Sequence, residues 1–277
     1  MKKVLILLCV MFCIGLNTSL FAQNSDNSTD EYLEALKQYV ELGGGGDRWN
    51  MKEMLDTKSL MALARISNKK LAKKKYEKTC EELVLRYRKE QMLEDFLVLV
   101  MPSFKKHVSL EELNELIELY SVPATQTAVK NTSEASQRMT VFFLTMFSSE
   151  KREIKVVNCP ESYTKACREY CDAMGLEKRL AQQFDAVGKN MQFSSAQDRM
   201  AWNTIVETLS ENVFNIWLNS SYGFVTEEDF QTLTRIERLP ATQHVLDGYD
   251  DFIGSDMNVF SMKFAGCFVH WLNQEFE

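Results

Sequence analysis

Cysteines are the residues of this chain best suited to chemistry. Five of the seven lie beyond residue 22, namely Cys80, Cys159, Cys167, Cys171 and Cys267. Cys167 and Cys171 are four residues apart in a segment with helical periodicity, a spacing that fits a metal or redox pair. A similar segment near the start of the chain has Leu36 and Val40 at the corresponding positions. Because cysteine also behaves as a small apolar residue, we predict two buried structural thiols. The disulfide pattern among the five stays open, and their odd number leaves at least one unpaired within the chain.

The three histidines beyond residue 22 are His107, His244 and His270, and none has a second His or Cys at a recognised zinc spacing. We predict satisfied or surface imidazoles rather than a catalytic base. No Gly-x-Ser-x-Gly turn supports a hydrolase nucleophile. The four glycines at 43–46 lack the downstream Gly-Lys-Ser/Thr of a phosphate loop, and a flexible connector explains them. We therefore expect no catalytic residue, no cofactor and no metal site.

Charged residues are grouped in two ways. The acid pairs Glu111-Glu112 and Glu227-Glu228 stand at predicted helix starts, where negative charge complements the exposed amides. A run of lysines contains Lys69, Lys70, Lys73, Lys74, Lys75 and Lys78. This run has two interpretations, a solvated helix face or a surface that docks to an anionic part of the cell envelope.

The first 22 residues have the pattern of a cleaved secretory signal peptide. Lys2 and Lys3 precede an apolar stretch at 4–16, and Leu20-Phe21-Ala22 forms a cleavage site. The stretch is shorter than the roughly 20 residues of a membrane span. We expect residues 23–28 to be a disordered N-terminus. The mature protein is then periplasmic or extracellular, and a membrane anchor is the less favoured alternative.

The charge balance restricts the class of partner. The chain has a formal net charge of −7, and removal of residues 1–22 takes away two lysines and no acid, which gives −9. An acidic surface argues against nonspecific nucleic-acid binding, which depends on neutralising phosphates. No segment after the signal peptide is apolar enough to cross a membrane.

Two stretches of the chain carry the same pattern 117 residues apart. Residues 109–113, an apolar helical stretch and Pro-Ala-Thr-Gln at 123–126 recur as 226–230, a second helical stretch and Pro-Ala-Thr-Gln at 240–243. An earlier part repeats with an offset of 131, so that Tyr32, Ala35, Tyr39 and Gly44 match Tyr163, Ala166, Tyr170 and Gly175. The first copy therefore holds 14 extra residues between Gly44 and about Cys80.

Helical periodicity and only four prolines predict an all-α fold. We expect a tandem duplication of a four-to-five-helix unit, with copies at 29–150 and 162–277, an extended connector at 151–161, and packing as one pseudo-symmetric bundle. Ser109 and Thr226 are suitable N-caps, with Glu112 and Asp229 at the capping-box position. Pro123 and Pro240 suit the first turn of the next helix. The stripe of Phe260, Phe264, Phe268 and Trp271 predicts a core face, or alternatively a partner groove or apolar ligand site.

The stretch from Leu119 to Thr127 resembles the hallmark of a bacterial exported family catalogued as domain of unknown function 2059. Tyr120 and Pro123 fit that hallmark, while Val122, Thr125 and Thr127 replace its small residue, glycine and lysine. In the second copy only Pro240 and the surrounding helix pattern fit. The resemblance implies a helical envelope protein in two tandem copies, the second more diverged, and brings no established activity.

The sequence thus favours an exported, non-enzymatic binding or interaction protein that uses a groove between helices or between copies. Its partner would be an unknown envelope protein or a small apolar ligand. Two alternatives remain. One is a carrier of an apolar small molecule or lipid, and the other is an enzyme whose site combines residues from both copies.

Overall fold

The computed structural model describes residues 27–43, 57–148, 156–190, 193, 195–253, 255 and 257–276. The predicted signal peptide, residues 23–26 of the predicted disordered N-terminus, the glycines at 44–46 and the first half of the connector lie outside these residues. The described part of the chain is 84% helical and has no strand, which confirms the all-α prediction.

Twelve α-helices are present in the described residues. They are α1 (Asn27–Glu41), α2 (Thr57–Ser67), α3 (Glu77–Glu90), α4 (Met92–Phe104), α5 (Leu110–Tyr120), α6 (Pro123–Ser148), α7 (Glu161–Met174), α8 (Leu176–Asn190), α9 (Ala196–Ser221), α10 (Glu227–Glu237), α11 (Pro240–Ile253) and α12 (Met257–Glu275). Six of them fall in each predicted repeat range, one or two more than expected. The difference arises where a long helix is interrupted, at Gln91 between α3 and α4 and again between α11 and α12.

Helix ends follow the local signals of the sequence. α6 and α11 begin at Pro123 and Pro240, whose fixed φ suits a first helical turn. At the start of α10 the Thr226 side chain accepts from the backbone N–H of Asp229, and the Asp229 carboxylate accepts from that of Thr226. This reciprocal pair is the predicted capping box. The turn after α1 contains Gly43, whose φ of +85° favours glycine, and a Cβ added there would clash with Val129.

The chain divides into two compact units that do not follow the order of the sequence. Of the described residues, one unit holds those in 39–43 and 111–247, and the other holds those in 27–38, 57–110 and 248–276. The boundaries fall inside α1, α5 and α11. The repeat boundaries at 29–150 and 162–277 stay a prediction.

The unit containing residues 111–247 is built around α6, α7, α9 and α10. α10 packs against α7 and α6, while α9 packs against α6 and α8. Its core is apolar and rich in aromatic side chains, with Tyr170, Trp217 and Phe230 all buried. The rings of Tyr170 and Phe230 lie 5.5 Å apart, so each covers apolar area of the other.

The other unit is built around α2, α3, α4 and α12. α12 packs against all three of the earlier helices, and α3 packs against α2 and α4. The aromatic stripe of α12 faces this core, because Phe264 and Phe268 are almost fully buried and the Phe268 ring lies 4.8 Å from that of Tyr87. Each unit therefore combines helices from the first half of the chain with helices from the second.

Candidate functional site

The two glutamines of the repeated Pro-Ala-Thr-Gln signature have equivalent roles in the scaffold. Gln126 donates from Nε2 to the backbone carbonyls of Leu42 and Tyr120, at 2.8 and 2.6 Å. Gln243 donates in the same way to the carbonyls of Ala173 and Glu237, at 3.4 and 2.5 Å. Each glutamine thus fastens a helix corner to the end of an opening helix, where carbonyls lack helical partners. Sequence reasoning found the signature but not these partners.

Two further contacts link the first turns of α5 and α10 to α11 and α6, the helices that begin at the two prolines. His244 Nδ1 lies 2.6 Å from Glu112 Oε1. Asn131 donates from Nδ2 to Asp229 Oδ2 at 2.9 Å. Glu112 and Asp229 are the two predicted capping-box positions, and Asp229 also accepts from the backbone N–H of Thr226 at the start of its own helix. His244 was expected to be satisfied or at the surface, and its side chain is 45% exposed beside the carboxylate.

The other two histidines lie in a turn and on an exposed helix face. His107 lies in the turn after α4, and His270 is exposed on α12 with Nε2 3.1 Å from Gln274 Nε2. Within the residues that the structure describes, no group of three or more His, Cys, Asp or Glu side chains is placed to hold a metal ion.

The five cysteines beyond residue 22 are all free thiols, three of them buried and two partly buried. Cys167 and Cys171 are buried on α7, and desolvation together with the neighbouring Cys167 thiol raises the pKa of Cys171. Burial also raises the pKa of Cys80, and it raises that of Cys267 to about 11. A raised pKa leaves little thiolate at neutral pH, which disfavours nucleophilic or metal chemistry. Cys159 is partly buried, with Sγ 3.2 Å from Thr164 Oγ1.

The aromatic stripe of α12 is packed against other rings of its own unit. Phe260 contacts Phe96 and Phe252, with ring centroids 5.6 and 4.9 Å apart. Trp271 lies 5.2 Å from Tyr87. These contacts are those of a core face, the first of the two interpretations offered for the stripe.

The strongest surface feature is the basic segment, which we define as residues 57–76. It contains α2, the turn after it and the short 3₁₀ helix Lys74–Tyr76. Twenty residues carry seven basic side chains and no acidic one, namely Lys58, Arg65, Lys69, Lys70, Lys73, Lys74 and Lys75. The other 257 residues carry 25 basic and 39 acidic side chains, a net charge of −14. The basic segment is therefore a concentration of positive charge in an otherwise acidic chain.

The turn that carries the lysines has a defined shape. The Asn68 side chain accepts from the backbone N–H of Lys70 at 3.0 Å, which is an Asx-turn. Backbone bonds from Ala72 to Asn68 and from Lys73 to Lys70 continue the turn. Leu71 is 1% exposed and anchors the turn to the unit, while the lysines on either side point to solvent.

Two acids that follow the basic segment along the chain, Glu77 and Glu82, each lie in an ion pair. Arg65 Nη2 lies 3.3 Å from Glu77 Oε1, and Lys78 Nζ lies 3.7 Å from Glu82 Oε1. Lys75 Nζ lies 4.9 Å from the centre of the Tyr76 ring. Among the described residues, no ion pair involves the five lysines of the turn, Lys69, Lys70, Lys73, Lys74 and Lys75. Their charge is thus available to an external anion.

Comparisons with protein-family models, curated proteins and solved structures find no match for this chain. The resemblance to the exported family of unknown function therefore stays a prediction. None of the described helices combines the length and apolar content needed to traverse a bilayer.

Proposed function

We propose that this chain is an exported helical protein that acts by binding, and that the basic segment is its binding surface for an anionic partner. The observation that carries the proposal is the concentration of charge: seven basic and no acidic side chains in residues 57–76 of an otherwise acidic chain. A cluster of one sign attracts the opposite charge over about 8–10 Å at physiological ionic strength. Because the turn is already ordered, little conformational entropy is lost on binding.

The proposal includes the tandem duplication, which supplies an internal reference for every surface. Three observations support it. The bounds of α5 and α10 differ by 117 residues at both ends, as do the starts of α6 and α11. The carbonyl partners of Gln126 and Gln243 are offset by 117 and 131 residues, the two offsets of the sequence repeat.

The third observation is a contact between two equivalent positions. Tyr120 and Glu237 are 117 residues apart, both are buried, and Tyr120 Oη lies 3.4 Å from Glu237 Oε1. Equivalent residues meet in this way where a two-fold axis passes between two copies of a structure. The contact supports pseudo-two-fold symmetry of the repeated elements.

The duplication separates scaffold from function. Features found in both copies, such as the glutamine corners, serve the fold. The basic segment lies where the offset between the copies changes from 131 to 117, so its counterpart falls within residues 174–207, which carry four basic and four acidic side chains. The net positive charge of the basic segment is thus specific to the first copy. A shared scaffold has no need of it, whereas a binding surface explains why it is concentrated there.

Ion-exchange retention on immobilised dextran sulfate tests the proposal. The test variant replaces Lys73, Lys74 and Lys75 with Gln; the matched control replaces the exposed Lys130, Lys165 and Lys178 with Gln. Both variants lower the net charge by three. We expect the test variant to elute at clearly lower salt than the parent, and the control to elute close to the parent. Equal shifts for the two variants would show that retention follows net charge alone and would refute the proposed surface.

The apolar carrier and the composite enzyme stay as alternatives from the sequence. The carrier alternative would need a cavity lined by the aromatic stripe. Phe260 instead packs directly against the rings of Phe96 and Phe252, so these contacts give that alternative no particular support. We therefore develop the anionic partner further.

A further inference from the structure

We infer that the partner of the basic segment is the surface of an anionic phospholipid bilayer, which the segment contacts peripherally. The inference rests on the proposed function, because it names the partner of the same surface. Three properties of the chain distinguish a bilayer from a soluble polyanion: the type of basic residue, an exposed apolar side chain close to the lysines in sequence, and the charge of the remaining residues.

The type of basic residue favours a diffuse anionic surface. The turn at 68–76 carries five lysines and no arginine. Arginine binds phosphate and nucleic acid through two parallel hydrogen bonds from a planar group, whereas lysine acts as a hydrated point charge on a flexible stem. Lysines that project from one ordered turn match the averaged charge of lipid headgroups, which requires no fixed geometry.

A large apolar side chain of the basic segment is exposed close to the lysines in sequence. Ile66, three residues before Lys69, is 62% exposed at the end of α2. Peripheral membrane binders combine basic residues with bulky apolar ones that enter the headgroup boundary. A soluble polyanion offers no such apolar layer to Ile66.

The charge of the remaining residues opposes their contact with an anionic membrane. In the predicted mature chain, the 235 residues outside the segment carry 23 basic and 39 acidic side chains, a net charge of −16, which an anionic plane repels. Contact through the basic segment is therefore favoured over contact through the acidic remainder of the chain. The predicted signal peptide would bring the protein to a compartment bounded by membranes, which agrees with such a partner.

Co-sedimentation with lipid vesicles tests the inference on the full mature chain. Vesicles of phosphatidylglycerol and phosphatidylcholine at 30:70 are compared with pure phosphatidylcholine, at 0.05 and 0.3 M NaCl. Each lysine near an anionic surface contributes roughly a factor of five to affinity. We expect binding only to the anionic vesicles, weaker at high salt, and reduced about 100-fold when Lys73, Lys74 and Lys75 are replaced with Gln. The Lys130, Lys165 and Lys178 control should bind within about threefold of the parent.

A second variant tests the apolar contribution. Ile66→Ser changes no charge, and exposed Val141→Ser is its matched control, because Val141 is 60% exposed in the other unit. We expect Ile66→Ser to weaken vesicle binding several-fold and to leave dextran sulfate retention unchanged, while Val141→Ser alters neither. Circular dichroism of each variant confirms that it is folded.

The outcomes separate the inference from the proposed function. Retention on dextran sulfate through the segment without vesicle binding would overturn the bilayer and leave an anionic partner in place. Binding of double-stranded DNA through the segment in the absence of vesicle binding would identify nucleic acid as the partner instead. Failure of both probes, or equal loss in test and control variants, would overturn both.

Discussion

Gln126 and Gln243 illustrate what single residues contribute to this protein. Each amide satisfies two backbone carbonyls that a helix end would otherwise leave without a helical partner. A partly buried acceptor that loses its donor costs the free energy of its desolvation. The signature residues are therefore explained by the scaffold rather than by chemistry.

We predict that Gln126→Ala and Gln243→Ala each lower the free energy of unfolding by about 1–3 kcal/mol, because each removes a side chain that serves two acceptors. Chemical denaturation monitored by circular dichroism measures the change. Gln231→Ala, on the exposed face of α10, is the control and should change stability by less than about 0.5 kcal/mol. If one glutamine variant destabilises the protein and the other behaves like the control, the two corners are not equivalent and the duplication loses a main support.

The types and spacing of residues predicted which side chains are buried, but not which distant side chains they contact. The interpretation of Cys167 and Cys171 as small apolar residues followed from Leu36 and Val40 at the corresponding positions of the predicted first copy, and both thiols are buried. The contact between His244 and Glu112 spans 132 residues and depends on how helices from the two halves meet. The periodicity of one helix does not predict which distant helix it contacts.

At the scale of helices, the last helix of each half of the chain packs with helices of the other half. α6 lies against α9 and α10, and α12 lies against α2, α3 and α4. The two halves thus exchange their closing helices. Proline, capping and periodicity signals predicted where helices such as α6 and α10 begin, because those signals are local. The exchange is not encoded locally, because periodicity identifies the apolar face of a helix but not the helix that covers it.

The exchange predicts that neither half of the chain folds without the other. We expect fragments 23–150 and 151–277 to be unstable when expressed separately, because each lacks the helix that covers its core. Co-expressed, they should form a stable complex in which an affinity tag on one fragment retains the other, with helical content equal to that of the intact mature chain. A cooperative thermal transition in either fragment alone would contradict the exchange.

At the scale of the whole chain, charge is distributed so that one segment opposes the rest. The basic segment carries seven positive charges, and the remaining residues carry a net −14. The composition predicted an acidic protein, and the sequence showed a run of lysines within it. The sequence left open whether that run formed one face of a regular helix. The structure places it in a turn held by Asn68 and Leu71, where the lysines reach solvent together.

Lysine footprinting of the intact mature protein tests the central claim, that the basic segment is the surface which meets an anionic partner. The protein is acetylated briefly with and without saturating dextran sulfate, and the rate at each lysine is read by mass spectrometry. We predict that Lys69, Lys70, Lys73, Lys74 and Lys75 react several-fold more slowly with the polyanion present, while Lys130, Lys165 and Lys178 react at unchanged rates. Equal protection of both groups, or protection of the second group alone, would contradict the account.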